Sequence, residues 1–225
     1  MNDLTVIYLT ASLVPEEWGK FQRETLLKAV GDTEIISVSR EPLNFGLNIL
    51  DDGKKCTDNI YRQMLRAAKL ATTKYVATAE DDTLYHEYHY KLRPSSDDTF
   101  AYNKNRFTLF TWGEPMYHWR NRLSNCSLIA PRELLIEALE ERFAKWPNGI
   151  PEHIVGELGR GMVERNLKVK ERKCEELFSN VSVIQVNHDF SSEDRQRTHR
   201  KSYGPIRAYD IPHWGKAEDL IRKFI

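Results

Sequence analysis

Short β-rich runs alternate with helical patterns through the N-terminal part of the chain. Leu4 to Thr10 and Glu34 to Ser39 have the apolar, β-branched composition of buried strands, and Pro15 to Val30 between them has the pattern of a helix. A second helix, capped by Thr57, is predicted before a third strand at Lys74 to Ala79. This β-α-β-α-β order is typical of a parallel sheet, so the sequence predicts an α/β fold.

One domain over residues 1–225 is expected, because 225 residues with 40% hydrophobic residues can bury one sizeable core. Lys and Arg (33) balance Asp and Glu (33), which excludes a polycation that binds nucleic acid or anionic membrane indiscriminately. The N-terminus resembles neither a signal peptide nor a membrane span, so we expect no membrane anchor and a cytoplasmic location. The spacing of Cys56, Cys126 and Cys174 argues against a zinc site or a disulfide framework.

Three consecutive acids, Glu80, Asp81 and Asp82, follow the predicted third strand. Ligands of parallel sheets gather at such strand ends, and adjacent carboxylates repel one another unless water or a cation neutralises them. Carboxylate oxygens favour Mg²⁺, Mn²⁺ or Ca²⁺. Glu80 and Asp82 project to the same side of an extended segment, so Glu80 can meet a ribose or base while Asp82 ligates the metal. The alternative is an acidic turn that caps a helix or lies in solvent.

A later strand, Ser182 to Val186, ends at Asn187-His188-Asp189. A neutral imidazole suits manganese, so we predict that His188 and Asp82 ligate the same ion. The alternative for His188 is a surface or hydrogen-bonded structural histidine.

A helix is predicted to begin at Pro151, because Ile154, Leu158 and Met162 recur every four residues. Glu152 would then lie beside the positive dipole of the first turn and stay ionised. Such a carboxylate can accept the proton of an attacking hydroxyl, which makes Glu152 the predicted catalytic base. His153 and Glu157 are rivals for this role, and an acid with a purely electrostatic effect on the helix is the alternative.

Together these features resemble the pattern of GT-A glycosyltransferases. Segments that look like small GT-A-type proteins of phages and bacteria are Ser37 to Ile49, Tyr75 to Tyr90, Phe107 to Trp112 and Glu133 to Pro147. The resemblance implies a single Rossmann-like GT-A domain with a mixed, mainly parallel central sheet flanked by helices. It also implies a nucleotide-sugar donor, with a UDP-sugar as the first expectation, and Mn²⁺ or Mg²⁺ as the cofactor.

The family's residue roles transfer position by position. Its acidic motif, usually Asp-x-Asp, binds metal and nucleotide sugar and falls on Glu80 to Asp82, with Glu80 in place of the first Asp. Its acidic catalytic pair falls on Glu152 and His153, where histidine replaces the second acid. Its C-terminal metal histidine falls on His188. An inverting displacement would use such a base, whereas a retaining enzyme of the same fold would not.

Nucleotide contacts are expected by position and resemblance at Thr10, Ala11 and Arg40, which follow strand ends. Asn59 and Arg62, on the helix before the third strand, are further candidates, and Arg62 either pairs with a phosphate or lies on a solvated helix face. The chain is thus expected to divide into a nucleotide-sugar half (1–105), an acceptor and catalytic half (106–190) and a basic tail or lid (191–225).

Positive charge near the C-terminus bears on the acceptor. The run Arg195 to Lys201 is strongly basic, and Tyr117 to Arg122 combines aromatic and basic residues that suit phosphates and stacked rings. With the phage-like resemblance, the expected acceptor is hydroxymethylated pyrimidine in DNA, in the host cytoplasm if a phage encodes the protein. The alternative acceptor is a saccharide or lipid-linked molecule in polysaccharide synthesis. The alternative role of the basic tail is a flexible lid that holds the diphosphate of the donor.

Two other classes fit parts of the pattern. A metal-dependent nuclease would use the acids and His188 around cations, with the basic tail on DNA. A nucleic-acid-binding module without catalysis would need the Arg195 to Lys201 run alone.

Overall fold

A computed structural model of the chain describes residues 3–53, 56–190 and 204–225. Its strands are β1 (Leu4–Leu9), β2 (Glu34–Ser39), β3 (Leu47–Leu50), β4 (Tyr75–Glu80), β5 (Thr83–Leu84), β6 (Thr99–Asn103), β7 (Arg106–Phe110), β8 (Tyr117–Trp119), β9 (Leu128–Pro131), β10 (Lys173–Leu177), β11 (Val183–Asn187), β12 (Arg207–Ala208), β13 (Asp210–Ile211) and β14 (Gly215–Lys216). Its helices are α1 (Glu16–Val30), α2 (Asn59–Leu70), α3 (Glu87–Tyr90), α4 (Arg132–Lys145), α5 (Gly161–Leu167) and α6 (Ala217–Phe224), with a 3₁₀ turn at Asn125–Ser127.

The central sheet has seven strands in the order β10-β6-β9-β4-β1-β2-β3. Only β9 runs antiparallel to its two neighbours; the other pairs are parallel. The predicted α/β fold with a mixed, mainly parallel central sheet is therefore confirmed. Because β1 to β4 are parallel, their carboxyl ends meet at one edge of the sheet.

Helices cover both faces of this sheet. Successive side chains of β1 point to alternate faces and pack against different helices. Ile7 and Leu9 belong to a buried cluster with Met64 of α2 and Leu135 of α4. Val6 and Tyr8 point to the other face and belong to a cluster with Leu26 of α1. Burial of both faces explains why this strand is apolar throughout.

A second sheet has the order β12-β8-β7-β11-β5. One of its faces is apolar: Leu109 and Ile184 pack in a cluster with Trp18 of α1 and Phe224 of α6. The opposite face is mostly polar: it carries Phe110 and Val183 together with the polar residues Thr83, Arg106, Thr108, His118, Arg120, Gln185 and Asn187. The predicted division at residue 105 is not a division between the sheets, because β9 and β10 join the first sheet and β5 joins the second.

Two details of the predicted order are wrong. Strand β3 was not foreseen, so the strand before the acids is the fourth and not the third along the chain. Asp58, not Thr57, occupies the position before α2, and its carboxylate accepts from the Ile150 nitrogen (3.1 Å) instead of capping the helix.

The helix predicted to begin at Pro151 is absent, and α5 begins only at Gly161. Gly156 and Gly159 lower the helix propensity of this segment, and Gly159 has φ +75°, which ends any right-handed helix there. Of the three spaced apolar residues only Leu158 is fully buried, and Met162 is exposed on α5. The described residues contain no helix that is both long enough and apolar enough to cross a bilayer.

Candidate functional site at the carboxyl edge of the sheet

The three acids lie where β4 leaves the central sheet. Asp81 accepts a hydrogen bond from Thr10 Oγ1 (2.5 Å) at the end of β1, and its carbonyl oxygen accepts one from Trp18 Nε1 (2.9 Å). Asp82 is 7% exposed, and its Oδ1 accepts from Thr83 Oγ1 (2.7 Å). Gln22 donates to the carbonyl oxygens of Glu80 (3.2 Å) and Thr83 (2.8 Å). Helix α1 therefore fixes the backbone of the acidic segment, as a preorganised site requires.

The negative charge of Asp82 opposes the ionisation of Asp81. Burial, followed by the negative charge of Asp82, raises the pKa of Asp81 to about 7, although the hydrogen bond from Thr10 and the charge of Arg23 act to lower it. A cation beside these acids would favour their ionised forms. The protonation state of Asp81 therefore depends on whether a positive charge lies beside it.

This raised pKa predicts a pH-dependent stability of the metal-free protein. The folded state keeps a proton on Asp81 that the unfolded chain releases near pH 4, so this carboxyl lowers the free energy of unfolding as pH rises from about 4 to 7. At about 1.4 kcal/mol per pKa unit, we expect a loss of about 2–4 kcal/mol over that window. Urea unfolding in EDTA at pH 4 to 8 measures it.

The matched variants for this measurement are Asp81→Asn and Asp97→Asn, an exposed carboxyl paired with Lys74 (2.8 Å). The difference between wild type and Asp81→Asn should grow with pH up to about 7, since groups such as the buried His89 contribute equally to both proteins. A constant difference would contradict the prediction. Asp97→Asn should show no such growth.

The second predicted ligand lies on the strand beside the acids. The Val186 nitrogen donates to the carbonyl oxygen of Asp82 (2.8 Å), and Gln185 pairs with Thr83. His188 comes two residues after Val186, the backbone partner of Asp82. His188 is 5% exposed, and its ring centroid is 5.0 Å from that of Phe224. The structure therefore brings the neighbourhoods of Asp82 and His188 together from positions far apart in the sequence.

The donor set suits a divalent cation only in part. A carboxylate and an imidazole are acceptable ligands of Mn²⁺, and an ion with two protein ligands takes its remaining ligands from substrate oxygens and water. Across the three described ranges, no group of three or more His, Cys, Asp or Glu residues that could hold a metal ion is found. The metal role of Asp82 and His188 stays a prediction.

Two of the candidate nucleotide contacts, Arg40 and Asn59, lie beside a buried carboxylate, Asp51, that was not predicted from the sequence. Asp51, which follows β3, is 5% exposed and accepts from Asn59 Nδ2 (2.7 Å) and Gln63 Nε2 (2.7 Å), and Arg40 lies 3.7 Å away. Burial acts to raise the pKa of Asp51, but the hydrogen bonds from Asn59 and Gln63 outweigh it and lower the pKa. An acid directly after the apolar run LNIL was the available signal.

The other candidate contacts have different surroundings. Ala11 is exposed beyond β1, next to Ser12, whose nitrogen donates to Thr10 Oγ1 (2.9 Å). Arg62 reaches Asp58 (3.4 Å), and its guanidinium lies 4.1 Å from the centre of the Phe143 ring. Thr10 and Ala11 border the acids, whereas Arg62 stabilises the outer side of α2.

The loop that carries the three rival bases crosses the same edge. The buried Arg142 donates to the carbonyl oxygens of Gly156 (2.8 Å) and Glu157 (3.3 Å), which fixes this part of the loop. Glu152 and His153 are exposed. The argument that placed Glu152 at a helix start is wrong, because no helix begins there.

Glu157 and Glu80 both act on the buried Tyr61 through their charges. Burial raises the pKa of Tyr61, the charge of Arg142 lowers it, and the charges of Glu157 and Glu80 raise it further. Tyr61 OH also accepts from Asn125 Nδ2 (3.0 Å). Tyr61 therefore lies within electrostatic reach of both the acidic segment and Glu157.

The predicted polyanion-binding stretch is largely internal. Tyr117 is 0% exposed and packs in the apolar cluster of the second sheet, so its ring is not available for stacking on a base. Arg122 is exposed. A Cβ at Gly204 would overlap the carbonyl oxygen of Trp119, so the chain after the basic run passes beside this stretch. The run Arg195 to Lys201 itself lies outside the described residues.

Comparisons with known proteins found likenesses in structure alone. No protein-family model and no curated protein matches the sequence. A nucleotidyl transferase from Methanothermobacter thermautotroptrophicus has a TM-score of 0.43 at 14% identity, over 80% of this chain and 89% of its own. A glycosyltransferase involved in glycosylation of the major capsid of PBCV-1 has a TM-score of 0.49 at 8% identity, over 86% and 96%. TarS of S. aureus (residues 1–349) in complex with UDP-GlcNAc has a TM-score of 0.47 at 12% identity, over 89% and 61%.

One fold serves many chemistries, so the function depends on the residues of the site.

Proposed function

We propose that the protein is a metal-dependent glycosyltransferase that moves a sugar from a nucleotide-diphosphate sugar, first of all a UDP-sugar, to a hydroxyl group. The observation that carries this proposal is the hydrogen bond from Val186 to the carbonyl oxygen of Asp82 (2.8 Å), which brings a buried acid and the segment of His188 together at the carboxyl edge of a parallel sheet. Ligands of such sheets bind at this edge.

In this proposal Asp82 and His188 hold Mn²⁺ or Mg²⁺. The bound ion would neutralise charge on the diphosphate as it departs. Asp81 and Thr10 keep the acidic segment in place through their hydrogen bond (2.5 Å). Glu80, which ends β4 two residues before Asp82, is proposed to meet the ribose or base, and Ala11 and Arg40 border the nucleotide.

For the base we propose Glu157 in place of Glu152. Its carboxylate is 22% exposed and pairs with Arg160 (3.3 Å), so solvent and substrate can reach it. The carboxylate would accept the proton of the attacking hydroxyl, whose oxygen forms a bond to the anomeric carbon as the bond to the diphosphate breaks. The outcome of this single displacement is inversion.

Donor binding tests the proposal directly. We expect a UDP-sugar with Mn²⁺ to raise the melting temperature of the wild type, because ligands that bind only the folded state stabilise it. Asp82→Asn and His188→Ala should each reduce the metal-dependent part of the shift, whereas Asp97→Asn should leave it intact. No shift with any nucleotide sugar would refute the proposal, and DNA cleavage in its place would indicate a nuclease.

As acceptor we propose hydroxymethylated pyrimidine in DNA, supported by the basic run Arg195 to Lys201 of the sequence. A base in a duplex would have to be extruded to reach the site. Transfer to hydroxymethylated but not to plain DNA is the expected result of an assay with labelled donor. Transfer to a saccharide alone would move the protein to polysaccharide synthesis.

A further inference from the structure

Two arginines are buried on the polar face of the second sheet. Arg106 on β7 and Arg120 beside β8 lie opposite each other, and the Arg120 nitrogen donates to the Arg106 carbonyl oxygen (3.2 Å). Arg106 is 1% exposed and Arg120 is 6% exposed. Withdrawal of a charged group from water is costly unless an opposite charge or a full set of acceptors replaces the water.

Neutral groups provide only part of that replacement. Arg106 donates to Gln185 Oε1 (2.7 Å), to Thr108 Oγ1 (3.4 Å) and to the carbonyl oxygen of Arg122 (3.4 Å). The guanidinium of Arg120 lies 5.8 Å from the centre of the Phe110 ring. Two buried donor atoms, Nε of Arg106 and Nη1 of Arg120, have no hydrogen-bond partner among the residues that the structure describes.

Carboxylates are the missing component. Within the described ranges, no acidic side chain forms an ion pair with Arg106, Arg120 or Arg122. The buried Arg172 differs, since it pairs with Glu137 (3.0 Å) and Glu141 (2.8 Å). Positive charge on the polar face is therefore left for a partner outside the described residues.

Arg122 extends the cluster to the surface. Burial, followed by the positive charges of Arg122 and Arg106, lowers the pKa of Arg120 to about 10. Arg120 therefore lies within electrostatic reach of the other two guanidinium groups. Arg106 also lies near the acids: burial raises the pKa of Cys126 to about 12, the charge of Arg106 lowers it, and the charges of Glu80 and Asp82 raise it. The cluster and the acidic segment thus flank the same buried thiol.

We propose that Arg106, Arg120 and Arg122 form a binding site for a phosphate group of a substrate. Several phosphate oxygens can accept from planar guanidinium groups in paired hydrogen bonds, and the exposed Arg122 is the member of the cluster that solvent reaches. The site deepens the proposed function, on which the identity of the substrate rests. The phosphate belongs either to the departing diphosphate of the donor or to a phosphodiester of the acceptor, and binding measurements separate these sources.

The test uses the full chain in EDTA, so that no divalent ion contributes to affinity. The probes are UDP, uridine as the matched nucleoside without phosphate, and a short single-stranded oligothymidylate, each titrated at several salt concentrations. Arg120→Gln and Arg122→Gln should each weaken binding of a phosphate-bearing probe by about tenfold or more and reduce its salt dependence. Uridine binding should not change. Arg165→Gln, at an exposed arginine paired with Glu171 (2.7 Å), is the control.

Each result decides a question. A loss confined to UDP assigns the site to the donor, and a loss confined to the oligonucleotide assigns it to the acceptor. Unchanged affinity of both probes in Arg122→Gln, which removes an exposed side chain and is expected to fold, would overturn the proposal, as would a wild type that binds neither probe. Arginine-dependent oligonucleotide binding without any nucleotide-sugar binding would refute the proposed function and leave this site standing.

Discussion

Replacement of Glu157 by glutamine is expected to lower turnover by about a hundredfold or more while donor affinity stays near the wild-type value. The amide has the shape of the carboxylate but cannot accept the proton of the attacking hydroxyl. The backbone of Glu157 is fixed by Arg142 (3.3 Å), so the exchange should change the chemistry of the side chain and not the path of the loop. Single-turnover transfer and a donor titration measure the two quantities separately.

Glu152→Gln is the matched control, because it makes the same chemical change five positions earlier in the same loop, at an exposed residue. We expect its effect on turnover to be much smaller. The reverse order of effects would return the role of base to Glu152, and His153→Ala would then be tested as the remaining rival. Near-normal turnover in all three variants would indicate a mechanism without a base in this loop.

Truncation of Trp18 to alanine is expected to lower the free energy of unfolding by about 3–5 kcal/mol. This side chain is 0% exposed, and its ring lies 5.7 Å from that of Phe21 and 4.9 Å from that of Phe224, measured between centroids. Its removal leaves a large cavity between α1, α6 and the second sheet. Urea denaturation, with the slope of the transition compared between variants, measures the loss.

Trp18→Phe separates packing from hydrogen bonding. Phenylalanine keeps most of the apolar contact but loses the donor to the Asp81 carbonyl oxygen (2.9 Å). We expect a smaller loss of stability than in Trp18→Ala, together with weaker metal-dependent donor binding, because the acidic segment is then less firmly held. An equal loss of stability in both variants would mean that the hydrogen bond, and not the ring, dominates.

Features with a regular period could be predicted from the sequence. The strands at Leu4–Leu9, Glu34–Ser39 and Val183–Asn187 and the helix at Glu16–Val30 agree with their predicted positions to within about one residue, since buried faces leave apolar residues at regular intervals along strands and helices. The placement of the acids at a strand end follows from the same pattern. Their approach to the segment of His188 depended on the family resemblance, because no local pattern encodes the pairing of β5 with β11.

Features that depend on tertiary contacts could not be predicted in this way. Apolar residues at a spacing of four favoured a helix after Pro151, yet Arg142 binds the carbonyl oxygens of Gly156 and Glu157 and fixes a loop. The role of Asp51 depends on Asn59 and Gln63, which only the fold brings to it. Arg106 is 1% exposed, and no local pattern predicted this burial because it depends on the strands of the second sheet, which are distant in the sequence.

The bond between Val186 and Asp82 has a consequence for synthesis on the ribosome. Strands β1 to β4 are complete by residue 80, but the partner that holds the acids on their other side is made more than a hundred residues later. The emerging polypeptide therefore carries three neighbouring acids without the hydrogen bond from Val186 until its final part leaves the exit tunnel. A ribosome-stalled fragment that ends before residue 183 should fold its first strands and yet fail to retain a nucleotide sugar.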